Sequence, residues 1–130
     1  MFDQIANFIT AAILGIMFFF SFVVAPVTFT SLNEENARKF IRKIFPFYYK
    51  VNFALCALVT LVYLSQKIFN FNFYLTLSIT ILFFVCNYIL MPLINKYRDN
   101  NQNQKFKYLH FTSVVINFIQ IIILIFLLIY

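Results

Sequence analysis

Near the end of the chain, in an otherwise apolar stretch, His110, Ser113, Asn117 and Gln120 recur at spacings of three, four and three. On a helix those spacings place all four near one stripe. Two chemistries are open to such a stripe. Its amides and hydroxyl can hydrogen-bond to neighbouring helices and hold them together. They can also line a hydrated pocket, in which the single histidine of the chain would be the titratable member. Ser21, Asn52 and Asn87 lie in other apolar stretches. With His110, Ser113 and Asn117 they are the candidates for a shared polar pocket, in which Asn52 and Asn87 are the expected neighbours of the stripe. Asn7, Thr10, Thr60, Thr76, Ser78 and Thr80 form a sparser polar set elsewhere.

The elements that must position these residues follow from composition. The chain has 130 residues, 63% hydrophobic and 11% charged. A soluble domain carries roughly a quarter charged residues, so the apolar excess calls for a membrane. Phenylalanine rises together with isoleucine, asparagine, lysine and tyrosine, as an AT-rich genome dictates. The phenylalanines are therefore read as composition and not as an aromatic binding site. Four apolar segments, at about 5–25, 46–65, 71–91 and 108–130, contain no charge except Lys50 near one end. Segments of about 20 residues can cross a ~30 Å hydrocarbon core as helices. They lack the alternation of a membrane β-barrel. Tyr48, Tyr49, Tyr63, Tyr74, Tyr88, Tyr108 and Tyr130 fall near segment ends, as an interfacial aromatic belt would. The first segment is not a cleaved signal peptide: Asp3 is the only side-chain charge before it, and its apolar run exceeds a typical h-region.

Between the first two segments, Ser31 and Glu34 fit a capping box. Leu32, Ala37, Phe40, Ile41, Ile44 and Phe45 then form one helical face, opposite the charged residues. Glu34–Arg38 and Glu35–Lys39 are favourable pairs four apart, and Pro46 ends the pattern. The expectation is a short amphipathic helix over 32–45 lying on the cytoplasmic leaflet, with a lid over an opening between the spans as the alternative. The fold class expected is thus an all-α membrane protein, one domain over 1–130, with four transmembrane helices in a bundle plus this short cytoplasmic helix.

Of the ten lysines and arginines, all but Lys67 belong to one side of that arrangement. Basic residues mark cytoplasmic loops, which puts both termini on the non-cytoplasmic side, here of a bacterial inner membrane. The partners expected are the lipid bilayer, with anionic lipid headgroups at the basic cytoplasmic face, and a second copy in a homo-oligomer. No nucleic-acid motif is present. One histidine and two cysteines, Cys56 and Cys86, at different depths do not make a metal site, and no cofactor is expected. No nucleophile–base–orienter set or glycine-rich phosphate loop is found, which points away from an enzyme. Ala11 and Gly15, with Asn7 on the same face, read as a close-packing seam.

The halves echo each other. "FFFSFVVAP" ends at Pro26 and "FFVCNYILMP" at Pro92, and Lys39-Phe40 matches Lys105-Phe106, all 66 residues apart. Such a duplication would relate the halves by an axis along the membrane normal.

Further motifs occur in order: Ala25-Pro26 with Phe29, Phe45-Pro46 with Tyr48-Tyr49, Pro92 with Asn95 and Arg98-Asp99, then Leu109-His110 with Ser113 and Asn117. Together they resemble the small four-helix membrane family related to transmembrane protein 205. The resemblance implies a four-helix fold of unknown function, for which a transport role has been suggested. It also marks Pro26, Pro92, Asn95, Arg98 and Asp99 as loop-motif candidates. The function expected is a polar pocket in the cytoplasmic half of the bundle that binds or transports a small solute or amphiphile. A membrane-bound enzyme or haem-type cofactor carrier using His110 is one alternative. A structural or assembly subunit of a membrane complex is the other.

The charge asymmetry sets the first test. A cysteine placed within 100–103 should resist an impermeant thiol reagent applied to intact cells, and one placed near residue 3 should react. The reverse pattern would invert the orientation.

Overall fold

In the computed structural model, which describes residues 1–130, the chain is helical almost throughout. Helix α1 spans Phe2–Ser31, α2 Glu34–Ser65, α3 Phe71–Asp99 and α4 Asn103–Ile129. Each is long and apolar enough to cross a bilayer, and together they form the four-helix bundle of an integral membrane protein. Neighbours in the bundle run in the order α1, α2, α3, α4 and back to α1. The diagonal pairs, α1 with α3 and α2 with α4, nowhere bring Cα atoms within 8 Å. Helices 66 residues apart in sequence thus stand across the bundle from each other.

One end of the bundle carries the basic residues, and the other end and the middle are closely packed. Ile13, Met17, Val59, Ile79, Phe83 and Leu124 are all but inaccessible there. Threonines in this region return their hydroxyls to carbonyls four residues back, as Thr10 does to Ala6 and Thr76 to Asn72. Thr60 also meets Thr80 at 3.3 Å. The outward faces are apolar, as lipid requires: Phe8, Phe19 and Ile122 are exposed.

Two helices widen where their prolines demand it. Proline has no amide hydrogen and crowds the carbonyl four residues back. Ahead of Pro26, residues Phe20–Val24 form a π-helical turn, and the Ala25 amide reaches five residues back to Phe20. Ahead of Pro92, residues Cys86–Leu90 do the same, and Met91 reaches back to Cys86. The two widened turns are 66 residues apart, the offset of the sequence echo.

Several expectations need correction. The segment 32–45 is not a separate in-plane helix: α2 begins at Glu34 and runs through Pro46 without interruption. Aromatic packing holds the helix there, with Phe45 against Phe20 and Tyr49 against Phe83. Its N-cap is Asn33, whose Oδ1 accepts the Asn36 amide at 2.9 Å, and not Ser31, which closes α1. Since α2 starts so early, Tyr48 and Tyr49 fall near its middle and are buried in the core, not set in an interfacial belt. The Ala11–Gly15 seam is not used within the chain. Asn7, Ala11 and Gly15 are exposed, and a Cβ at Gly15 would meet nothing within 4 Å.

The connections are short. After α2, Lys67 adopts a left-handed conformation (φ 54°) while the Ile68 amide reaches back to Tyr63. After α3, Asn101 does so (φ 55°) while Gln102 reaches Tyr97. Glycine usually fills this position because a side chain is strained there by roughly 1–2 kcal/mol. Lys67→Gly should therefore raise the midpoint of detergent-induced unfolding, by about 1 kcal/mol of stability. The β-branched Lys67→Val should lower it.

Candidate functional site

At the basic end the two halves of the bundle part. From the widened turn of α1 onward, residues 20–31 have no Cα within 8 Å of α4, and residues 91–99 of α3 have none within 8 Å of α2. Within each half the contact persists, between residues 25–31 and α2 and between residues 91–99 and α4. A cavity of about 360 Å³ fills the wedge between the halves, within the ~300–1,000 Å³ range of small-molecule sites.

The cavity's inner wall is aromatic. Phe20 stacks on Tyr48 with ring centroids 4.3 Å apart and meets Phe45 edge-on at 5.1 Å. Its floor is a chain of hydrogen bonds across the halves. The Tyr48 hydroxyl donates to Asn117 Oδ1 at 2.7 Å, and Asn117 Nδ2 donates to Ser21 Oγ at 3.1 Å. Ser113 turns its hydroxyl to the His110 carbonyl at 2.6 Å. His110 stacks on Phe106 at 5.9 Å.

Its rim is charged. Arg38 donates to Glu34 at 2.7 Å, and Arg98 reaches the same carboxylate at 3.4 Å. Arg98 also lies over the Phe106 ring, 4.7 Å from its centroid. Arg42 donates to Asp99, joining α2 to α3 across the parted halves. That hydrogen bond, with the charges of Arg42, Arg38 and Arg98 behind it, holds the exposed Asp99 carboxyl below the usual carboxylate range. The Nε of Arg42 is buried without a partner.

Of the sequence candidates, Ser21, Asn95, Arg98, His110, Ser113 and Asn117 line this one cavity. Asn52 does not. It is fully buried one turn beyond Tyr48, to whose carbonyl its Nδ2 donates at 2.9 Å, and its Oδ1 has no partner. Asn87 is buried in the widened turn of α3, apart from the lining. Pro26 and Pro92 shape the helices but do not line the space, and Asp99 stands outside it. The neighbours of Asn117 are Tyr48 and Ser21, in place of the expected Asn52 and Asn87. Glu34, Arg38, Arg42, Phe45 and Tyr48 were not among the candidates, and all line the cavity. A signal for them existed. If the helix is continued through Pro46, residues 34, 38, 41, 45, 48 and 52 share one face.

The sequence profile of the family described as "Domain of unknown function (DUF4149)" matches residues 8–103. No curated protein and no solved structure matches the chain. The profile covers most of the chain, so the protein belongs to the DUF4149 family.

The floor of the cavity can be tested by substitution. Asn117→Leu removes both cross-half hydrogen bonds and leaves the buried Tyr48 hydroxyl without its acceptor, at a cost of about 1–3 kcal/mol. Tyr48→Phe should cost less, near the ~0.6 kcal/mol average for interhelical bonds in membranes. The double variant should lose less than the sum of the two. Unfolding in mixed micelles measures all three.

Proposed function

We propose that this member of the DUF4149 family binds a small amphiphile in the wedge between its halves, with the apolar part on the aromatic wall and the polar part at the arginine rim. The observation that carries this reading is the pairing of those two surfaces in one cavity. Apolar walls supply area-dependent affinity, and a few placed polar groups fix orientation. The packing of the other end of the bundle supports binding over an open pore. Ile13, Val59, Ile79, Phe83 and Leu124 close the path beyond the cavity, so a solute could cross only if that core opened. The motif resemblance to the family of transmembrane protein 205 agrees with a carrier or binding role. On this reading the rim faces the cytoplasm, as the basic residues favour.

The test is native mass spectrometry from mild detergent with added palmitate as probe. Wild-type protein should acquire one palmitate. Ala25→Trp, which fills the wedge from α1, should bind about tenfold more weakly or not at all, while eluting and melting as wild type does. Equal binding to both proteins, or to neither, rejects the cavity as the site.

A further inference from the structure

The wedge is closed on one side and open on the other. Between α2 and α3 the gap is spanned by Arg42–Asp99 and Arg98–Glu34. Between α1 and α4 no ion pair stands. Above the Asn117–Ser21 hydrogen bond the backbones stay more than 8 Å apart. The side chains flanking that gap, Phe22, Phe29, Val114 and Phe118, are apolar and exposed. A slot with apolar lips, in a helix bundle that crosses a bilayer, opens into the hydrocarbon of one leaflet and not into water.

The rim gives the slot a charge preference. Three guanidiniums, of Arg38, Arg42 and Arg98, are set against two carboxylates, of Glu34 and Asp99. One positive charge is left over, and the buried Arg42 Nε still lacks an acceptor. Guanidinium donors match phosphate oxygens. The rim sits at the end of the helices where their apolar stretches stop, which is the depth of lipid phosphates.

We infer that the occupant is a bilayer lipid with an anionic phosphate headgroup, which enters sideways between α1 and α4, seats its phosphate at Arg38, Arg42 and Arg98, and lays the start of an acyl chain on Phe20 and Phe45. This rests on the binding role proposed above and names its ligand and route. An acyl chain satisfies the aromatic wall without leaving the hydrocarbon, so the lipid gains the phosphate contacts and gives up little. A free inorganic phosphate would gain only the rim.

The chain has no tryptophan, which makes a single-tryptophan probe clean. Phe118→Trp places one at the lip of the slot. Phe8→Trp places a control at the other end of the bundle. Each is reconstituted in phosphatidylcholine vesicles containing a minor fraction of brominated phosphatidylglycerol or, separately, brominated phosphatidylcholine. At the slot, the brominated anionic lipid should quench more effectively by about fivefold in apparent affinity, the preference that one uncompensated basic residue gives. At Phe8→Trp the two lipids should quench alike. Arg38→Gln, the least entangled of the three arginine changes, removes the one uncompensated charge and should abolish the preference at the slot. The combined Arg38→Gln/Arg98→Gln variant, which leaves one carboxylate in excess, should reverse it. Added inorganic phosphate should leave quenching unchanged. Equal quenching by both lipids at Phe118→Trp overturns the inference, as does a preference indifferent to the arginines or relieved by inorganic phosphate. If palmitate binding survives such a result, only the lipid assignment falls. If palmitate binding also fails, the amphiphile reading falls with it.

Discussion

A helix that crosses a bilayer must satisfy its backbone from within itself, and each half of this chain places a proline where that rule is hardest to keep. The response at Pro26 and at Pro92 is the same. The preceding turn widens, and the amide before the proline reaches five residues back instead of four. Past those two turns the backbones of the halves stay more than 8 Å apart on either side, and only side chains bridge them. The cavity, its aromatic wall and its charged rim all occupy the space that this parting leaves. Widened turns of this kind are frequent at functional sites in other helices, and here the physical link is direct: the turns mark the level at which the bundle opens.

Stability and opening are divided between the two ends. The packed end holds the bundle through buried Ile13, Val59, Ile79 and Leu124, with threonine hydroxyls satisfied on their own helices. The basic end is held by exposed ion pairs, Arg42–Asp99 and Arg98–Glu34, and by the Tyr48–Asn117–Ser21 chain beneath them. Exposed pairs contribute roughly 0–1 kcal/mol each. The separation of the halves at this end is therefore opposed only weakly, while separation at the other end would expose the core.

The number of spanning helices was legible because a 20-residue apolar run has few other uses, and the 66-residue echo was legible because both prolines sit at matching places. The ends of the helices were not. Pro46 reads as a stop in a soluble helix, but packing of Phe45, Tyr48 and Tyr49 against Phe20 and Phe83 carries α2 through it. That single misreading hid half of the site. It turned Arg38 and Arg42 into residues of a surface helix and Tyr48 into an interfacial anchor, when Arg38 and Tyr48 share a face with Asn52 and Arg42 stands at its edge, one turn from Arg38. Phe20 and Phe45, read only as part of the composition, take places on the cavity wall once α2 is continuous. Ser21, His110, Ser113 and Asn117 were legible because a polar side chain in an apolar run must face a partner. Which partner it faces depends on helix rotation, which a single sequence does not encode, and so Asn117 was assigned to Asn52 and Asn87 instead of to Tyr48 and Ser21.

The echo between the halves does not make the lining of the cavity symmetric. The frame is repeated, but the residues that furnish it are not. Positions 38, 42 and 48 of the first half are Arg, Arg and Tyr, and their counterparts 66 residues on are Gln104, Tyr108 and Val114. Conversely Arg98, His110 and Asn117 correspond to Leu32, Ile44 and Val51. Each half therefore supplies what the other lacks: the first gives two guanidiniums and the phenol, the second gives one guanidinium, the imidazole and the amide that accepts from that phenol. Repetition of the proline turns opens the bundle symmetrically, and divergence of the facing side chains makes the opening chemically one-sided. The ion pairs followed the same course. Arg42–Asp99 and Glu34–Arg98 both tie α2 to α3, while the equivalent junction between α1 and α4 carries none. The wedge that a symmetric backbone would have left open on both sides is in this way bridged by ion pairs on one and left without them on the other.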